Sequence, residues 1–207
     1  MKKLLFILVA LSTLIHAEFE APKTGCILSQ EGKVSVSWKA YKTPAKLGVG
    51  GVFNKVAYRA VKAEGKNFKE ILVGSSVIID TSSVNSKNEG RDLKLVNSFF
   101  KLMGDGKIAA KIVDMTSNKR VKREARTGTL SVDISMNGVT KSVPMSYTYD
   151  KGLMKSEGFI DILDFSGSDA LASINKACFD LHSGKTWSDV AIGFELNIKA
   201  ILCATKD

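Results

Sequence analysis

The side chains that could do chemistry in this sequence are few, and their spacing argues against catalysis. Asp161 and Asp164 come nearest to the carboxylate pair that general acid–base work needs. They sit in Phe159 to Phe165, which reads as a strand, and alternation puts strand residues three apart on opposite faces. His182 is the one histidine beyond the first residues. It stands at the end of a predicted helix, where it suits compensation of the dipole better than service as a base. No G-x-S-x-G elbow, P-loop or H-E-x-x-H motif occurs, and Gly48-Val49-Gly50-Gly51 lacks the strand–turn–helix setting of a dinucleotide fingerprint. Without a C-x-x-C, and with that one histidine, nothing points to a metal. The sequence therefore predicts no catalytic residue, no metal ligand and no cofactor.

The three cysteines and the N-terminus bear on compartment instead. Met1-Lys2-Lys3, the mostly apolar run Leu4 to Ile15, and His16-Ala17 read as a signal peptide over residues 1–17, cleaved after Ala17. An uncleaved N-terminal anchor is the alternative. Lys23-Thr24-Gly25-Cys26 lacks the apolar residue that a lipoprotein site carries three positions before its cysteine. No later segment is long and apolar enough to span a bilayer. Residues 18–207, about 190 in number, are expected as one exported periplasmic or secreted domain with room for a sizeable core. In an oxidising compartment one disulfide is expected, with one thiol left over. Cys26 precedes the first predicted strand and Cys203 follows the last, which in a closed antiparallel barrel favours Cys26–Cys203; Cys26–Cys178 is the rival pairing.

The formal charge of +9 falls only to about +7 once Lys2 and Lys3 are removed. That excess suits attraction to an anionic membrane surface or a cell-surface polymer. A nucleic-acid partner is not expected. The lysines are scattered, and the one dense stretch, Lys119-Arg120-Val121-Lys122-Arg123, has no aromatic platform and reads as a solvated loop or strand edge.

Period-two patterning dominates the elements that must position any site. Val34, Val36, Trp38 and Ala40 alternate with polar neighbours. Gly48 to Phe53 reads as a glycine-rich strand with a bend. Tyr58 to Val61, Ile71 to Ile79 and Ile108 to Val113 read as further strands, and Val190 to Ala200 as the last. Leu130 to Met136 and Val139 to Tyr149 flank Asn137-Gly138, the strongest short hairpin signal. A two-residue loop there pairs Met136 with Val139, Ile134 with Lys141, Val132 with Val143 and Leu130 with Met145. Two segments have helical spacing instead: Arg91 to Met103, with Leu95, Phe99 and Leu102 on one line, and Ser168 to His182, with Leu171, Ile174, Cys178 and Leu181 as its apolar stripe. Ser168 is the expected N-cap of the second. The fold expected is mainly β, an eight-stranded antiparallel barrel with one or two short capping helices.

Five segments in order carry a family resemblance: Val49-Gly50-Gly51-Val52-Phe53; Ile79 to Val84; Arg91-Asp92-Leu93-Lys94-Leu95 with Phe99-Phe100 after it; Gly128-Thr129-Leu130 with Gly138-Val139-Thr140-Lys141-Ser142-Val143; and Asp164-Phe165. In this pattern the chain resembles the YceI-like family over roughly Gly32 to Ala200. It departs in carrying Lys94 where the family often has histidine, Ser98 where it often has aspartate, and no histidine in the first strand. The resemblance implies a periplasmic lipocalin-like barrel that binds polyisoprenoid lipids and does no catalysis.

The function expected is then exported binding of an isoprenoid or quinone-like lipid in the barrel, for carriage or storage. A lipid-free stress or interaction protein on the same barrel, or more remotely a periplasmic enzyme, is the alternative; a dimer is left open. The candidate wall is Trp38, Phe53, Phe99, Phe100, Val132, Ile134, Val143, Met145, Phe194 and Leu196, each of which taken singly reads first as ordinary packed core. Arg91 and Lys141 are the candidates for a polar or anionic head group at the mouth, Arg91 competing with an internal ion pair to Asp92.

Overall fold

The computed structural model describes residues 27–202 of the chain. In order along it lie β1 (Ile27–Lys42), β2 (Leu47–Phe53), β3 (Val56–Arg59), β4 (Glu64–Gly65), α1 (Phe68–Leu72), β5 (Ser76–Asp80), β6 (Val84–Asn85), α2 (Glu89–Ser98), β7 (Lys107–Ser117), β8 (Arg126–Met136), β9 (Val139–Asp150), β10 (Leu153–Asp161), α3 (Ser168–Ala177) and β11 (Thr186–Leu202). The strands form one antiparallel sheet in the order β3-β5-β7-β8-β9-β10-β11-β1-β2-β6, with β4 on β1. The two ends of that path are not free edges. β3 continues β2 past Asn54-Lys55, and β6 continues β5 past a 3-10 turn at Thr81–Ser83. Pairing of Phe53 with Val84 and of Val56 with Ile79 therefore joins the same two bent strands and curls the sheet into a lipocalin-like barrel.

Eleven strands stand where eight were expected. Bends split two of the eight, and β4 is a two-residue bridge beside Leu28 and Ser29. The long β1–β11 pairing, from Ile27 with Leu202 to Lys42 with Thr186, joins the first and last long strands. The hairpin follows the expected register residue for residue, Met136 opposite Val139 through Leu130 opposite Met145. Asn137 and Gly138 both hold positive φ, 52° and 74°, as a type I′ turn requires. Alternation decides what the sheet buries: Leu130, Val132, Ile134 and Met136 on β8 and Val143, Met145 and Tyr147 on β9 all face the interior.

Three expectations need correction. Ile71 to Ile79 is not one strand. Asn67 caps a short helix by accepting from the Glu70 amide at 2.9 Å, and Gly74 turns the chain at φ +101° before β5. Adjacent Ile71 and Leu72 are both fully buried, which a two-faced strand covered on one side would not allow. Nor does Phe159 to Phe165 stay extended. Asp161 ends β10 and caps a 3-10 turn at Ile162–Phe165, accepting from the Leu163 amide at 2.9 Å. On the third helix, Gly167 holds the N-cap position and Ser168 is the first helical residue. The Arg91 to Met103 segment is α2 followed by a 3-10 turn at Phe100–Leu102, with Asn88 capping α2 through the Arg91 amide. With α1, the helices number three among the described residues. Cys26 and Cys203 lie outside those residues; Cys178 is buried and has no disulfide partner among the described residues.

Gly128 on β8 lies against β7 and Tyr147. A Cβ there would meet the Thr116 carbonyl oxygen and come within 2.6 Å of Tyr147 Cε1. Gly128→Ala should therefore destabilise the barrel by about 1–3 kcal/mol through overpacking, lowering Tm by roughly 3–10 °C for a domain of this size. Calorimetry of the purified variant checks this; an unchanged Tm would show that β7 and β8 separate freely at that point.

Candidate functional site

Inside the barrel lies a cavity of about 610 Å³, within the roughly 300–1,000 Å³ of small-molecule sites. It runs along the barrel. At one end it reaches Leu72 of α1, which follows the strand bridged to the start of β1; at the other it reaches Lys42 at the far end of β1 and His182 beyond α3. On β1 alone it is lined from Val34 to Lys42, about 26 Å of strand at ~3.3 Å per residue. Its walls are mostly aliphatic and aromatic side chains from the inner faces of β1, β2, β5, β7, β8 and β11, with α2 and α3 across one end.

Ten of the twelve wall and mouth residues expected from the sequence line this cavity: Trp38, Phe53, Arg91, Phe99, Phe100, Val132, Ile134, Met145, Phe194 and Leu196. Phe53, Phe99 and Phe100 meet edge to face, with centroids 5.9 and 5.1 Å apart across Phe100, and pin the C-terminal end of α2 to β2. Val143 and Lys141 stand elsewhere. Val143 packs into the closed part of the core, and Lys141 is exposed near the Asn137-Gly138 turn. The register of Lys141 is as expected, but it sits two pairs from the hairpin's last ladder position, where a lysine stem escapes to water. That corrects its assignment to the mouth.

The Arg91–Asp92 pair resolves into an intermediary. Arg91 donates through Nε to Ser86 Oγ and through Nη2 to the Ser86 carbonyl, each at 2.7 Å. Ser86, 6% exposed, in turn gives its amide (3.0 Å) and its hydroxyl to Asp92 Oδ1. The three residues lock the start of α2 onto the strand end at β6. Arg91 touches the cavity from a side chain that is already fixed.

Groups that sequence reading left out complete the mouth. Lys42, Lys94, Leu181, His182, Thr186 and Trp187 all line it. Lys42 is paired with Thr186 across β1 and β11, and His182 Nδ1 lies 2.7 Å from Thr186 Oγ1. Partial burial, and then the charges of Lys42 and Lys94, hold the His182 pKa below its ordinary value. Lys94 lies one turn beyond Arg91 on α2, a spacing visible in the sequence; nothing in sequence brings Lys42 or His182 to that turn. The Trp38 indole N–H is buried in the wall without a partner among the described residues. Leu181, expected in the buried stripe of α3, is instead 61% exposed, because the helix ends at Ala177 and a 3-10 turn at Asp180–His182 rotates it outward.

The YceI-like domain family matches residues 27–202. Among solved structures, a polyisoprenoid-binding domain from Saccharophagus degradans superposes with TM-score 0.55 at 14% identity, covering 84% of this chain and 98% of that one. BcnA of Burkholderia cenocepacia follows at TM-score 0.50 and 14% identity, with 81% and 96% covered. The YCEI protein of Campylobacter jejuni gives 0.50 at 18% identity, with 74% and 86% covered. At these identities the likeness is one of fold. No curated protein matches the sequence.

His182 gives the site a pH dependence with a definite sign. Its folded pKa lies below the unfolded value, so the unfolded chain binds the extra proton first. The resulting stability is complete above about pH 6.5 and is lost as pH falls through the lower folded pKa. Urea midpoints at pH 7.5 and 5 should differ less in His182→Gln than in the parent; an equal difference would place the pH sensitivity elsewhere.

Proposed function

This chain belongs to the YceI-like domain family, and from that footing we propose that it is an exported lipid binder that holds a long isoprenoid or quinone-like chain in its barrel, for carriage or storage. The observation that carries the reading is the cavity itself: a continuous apolar channel along the barrel where small barrels usually interleave side chains. Binding of this kind needs no reaction. Each methylene withdrawn from water contributes about 0.8 kcal/mol, so a long chain gains affinity from burial alone. The printed name of the Saccharophagus domain, polyisoprenoid binding, points to the same ligand class. Residues 1–17 as a signal peptide, and a periplasmic destination for the rest, complete the proposal.

A disulfide between Cys26 and Cys203 belongs to the same reading. Ile27 and Leu202 are direct partners on β1 and β11, and the two cysteines are their outward neighbours in sequence. Its support is therefore the register of the closing strands. A bridge across so long a loop stabilises by about 4 kcal/mol in the chain-entropy model. Cys178, buried against the cavity, is the thiol left over.

Three measurements test these statements. Native mass spectrometry of protein taken from the cell envelope of its source should show a co-purifying isoprenoid or quinone mass, and a bare protein from repeated preparations would favour the lipid-free alternative. Shortening a bound chain by two methylenes should weaken binding about tenfold. Non-reducing peptide maps should join the Cys26 and Cys203 peptides; a Cys178 cross-link would overturn the pairing.

A further inference from the structure

The charged side chains that line the cavity carry one sign. Lys42, Arg91, Lys94 and Lys111 line it, with His182, and among the described residues no aspartate or glutamate does. Four of these five share one end. Lys42 and His182 are linked through Thr186, and Arg91 and Lys94 lie one turn apart on α2, which packs against α3. Lys111 stands apart, opposite Ser76 on β5. The acids of the same rim are engaged or turned away. Asp189 pairs with Lys46 at 2.8 Å, and Asp92 is held by Ser86. Glu89 and Asp180 lie on the neighbouring turns without lining the cavity. Among the described residues, Lys42, Arg91 and Lys94 have no carboxylate within ion-pair distance.

The field of unpaired cations at the edge of an apolar channel is strongest where the low-dielectric wall begins. A neutral head group placed there takes little from that field. An anionic one gains charge-assisted hydrogen bonds from three side chains at once. From this arrangement we infer that the ligand is an amphiphile with an anionic head group, a carboxylate or a phosphate, seated between Lys42, Arg91 and Lys94, with its apolar chain running down the barrel toward Leu72. The inference rests on the lipid-binding reading and narrows it: a neutral quinone or alcohol of equal chain length is the poorer ligand.

The test uses the mature chain and two matched pairs, farnesyl phosphate with farnesol and hexadecanoate with hexadecanol, each titrated below its micelle concentration. At low salt at least one anion should bind about tenfold or more tightly than its alcohol. That advantage should shrink as salt screens the rim, while alcohol binding stays level. Lys42→Gln with Lys94→Gln should cut the advantage to about twofold and leave the alcohol unaffected, which also shows that the variant is folded. A gain for only one anion identifies the head group and sustains the inference. Alcohols that bind as tightly as their anions overturn it and leave the lipid reading standing. Four ligands that all fail to bind overturn the lipid reading itself.

Discussion

The pairing of β1 with β11 is the interaction on which the rest of the structure depends. A meander of antiparallel strands has two exposed edges and one apolar face with nothing to bury against. Joining the first and last long strands over most of their length turns that face inward and converts it to a wall. The join is not a uniform ladder. Its register shifts between Glu31 and Ser35, where Gly32 takes φ +73°, and again near Lys42. Such bulges add the local twist that a closed sheet needs.

Closure leaves a question of filling. The interior divides between a close-packed region, in which Leu130, Met154 and Ile198 are inaccessible, and a channel beside it lined by aliphatic and aromatic side chains. α1 fills one end with Phe68, Ile71 and Leu72. α2 and α3 lie across the other, where the Ser86–Arg91–Asp92 lock and the Phe53–Phe100 contact fix the helix that borders the opening. The anchoring of α2 and the accessibility of the cavity thus have separate origins. Polar bonds hold the start of α2, aromatic packing holds its end, and the basic groups of the mouth are left available.

Much of the fold was legible in the amino-acid pattern because the strand period is local. The hairpin at Asn137-Gly138 came out in its observed register, since two residues that accept positive φ and an alternating pair of flanks leave one pairing that buries a single face. Short apolar runs were the failures, and for a common reason. Ile71 to Ile79 and Phe159 to Phe165 are as apolar as strands, but Asn67 caps a helix that runs into the first and Asp161 a turn within the second, and capping is decided by one side-chain hydrogen bond that periodicity does not register. Most of the proposed wall lines the cavity for the same reason that the strands were visible: alternation names the inward set. It does not say which inward residues touch one another and which face open space, so Val143 fell in the packed core.

By itself, the sequence determined the strand alternation, the hairpin, two of the helical segments and the family pattern, all of which depend on neighbours close along the chain. Only the tertiary structure decided that the barrel keeps a channel, that Arg91 is tied to Ser86, and that Lys42, Lys94 and His182 meet at one mouth. Those residues are separated by dozens of positions and belong to three elements. Their proximity follows from β1 pairing with β11 and from α2 packing on α3. The sign of the mouth is therefore a property of chain closure, which no local spacing encodes.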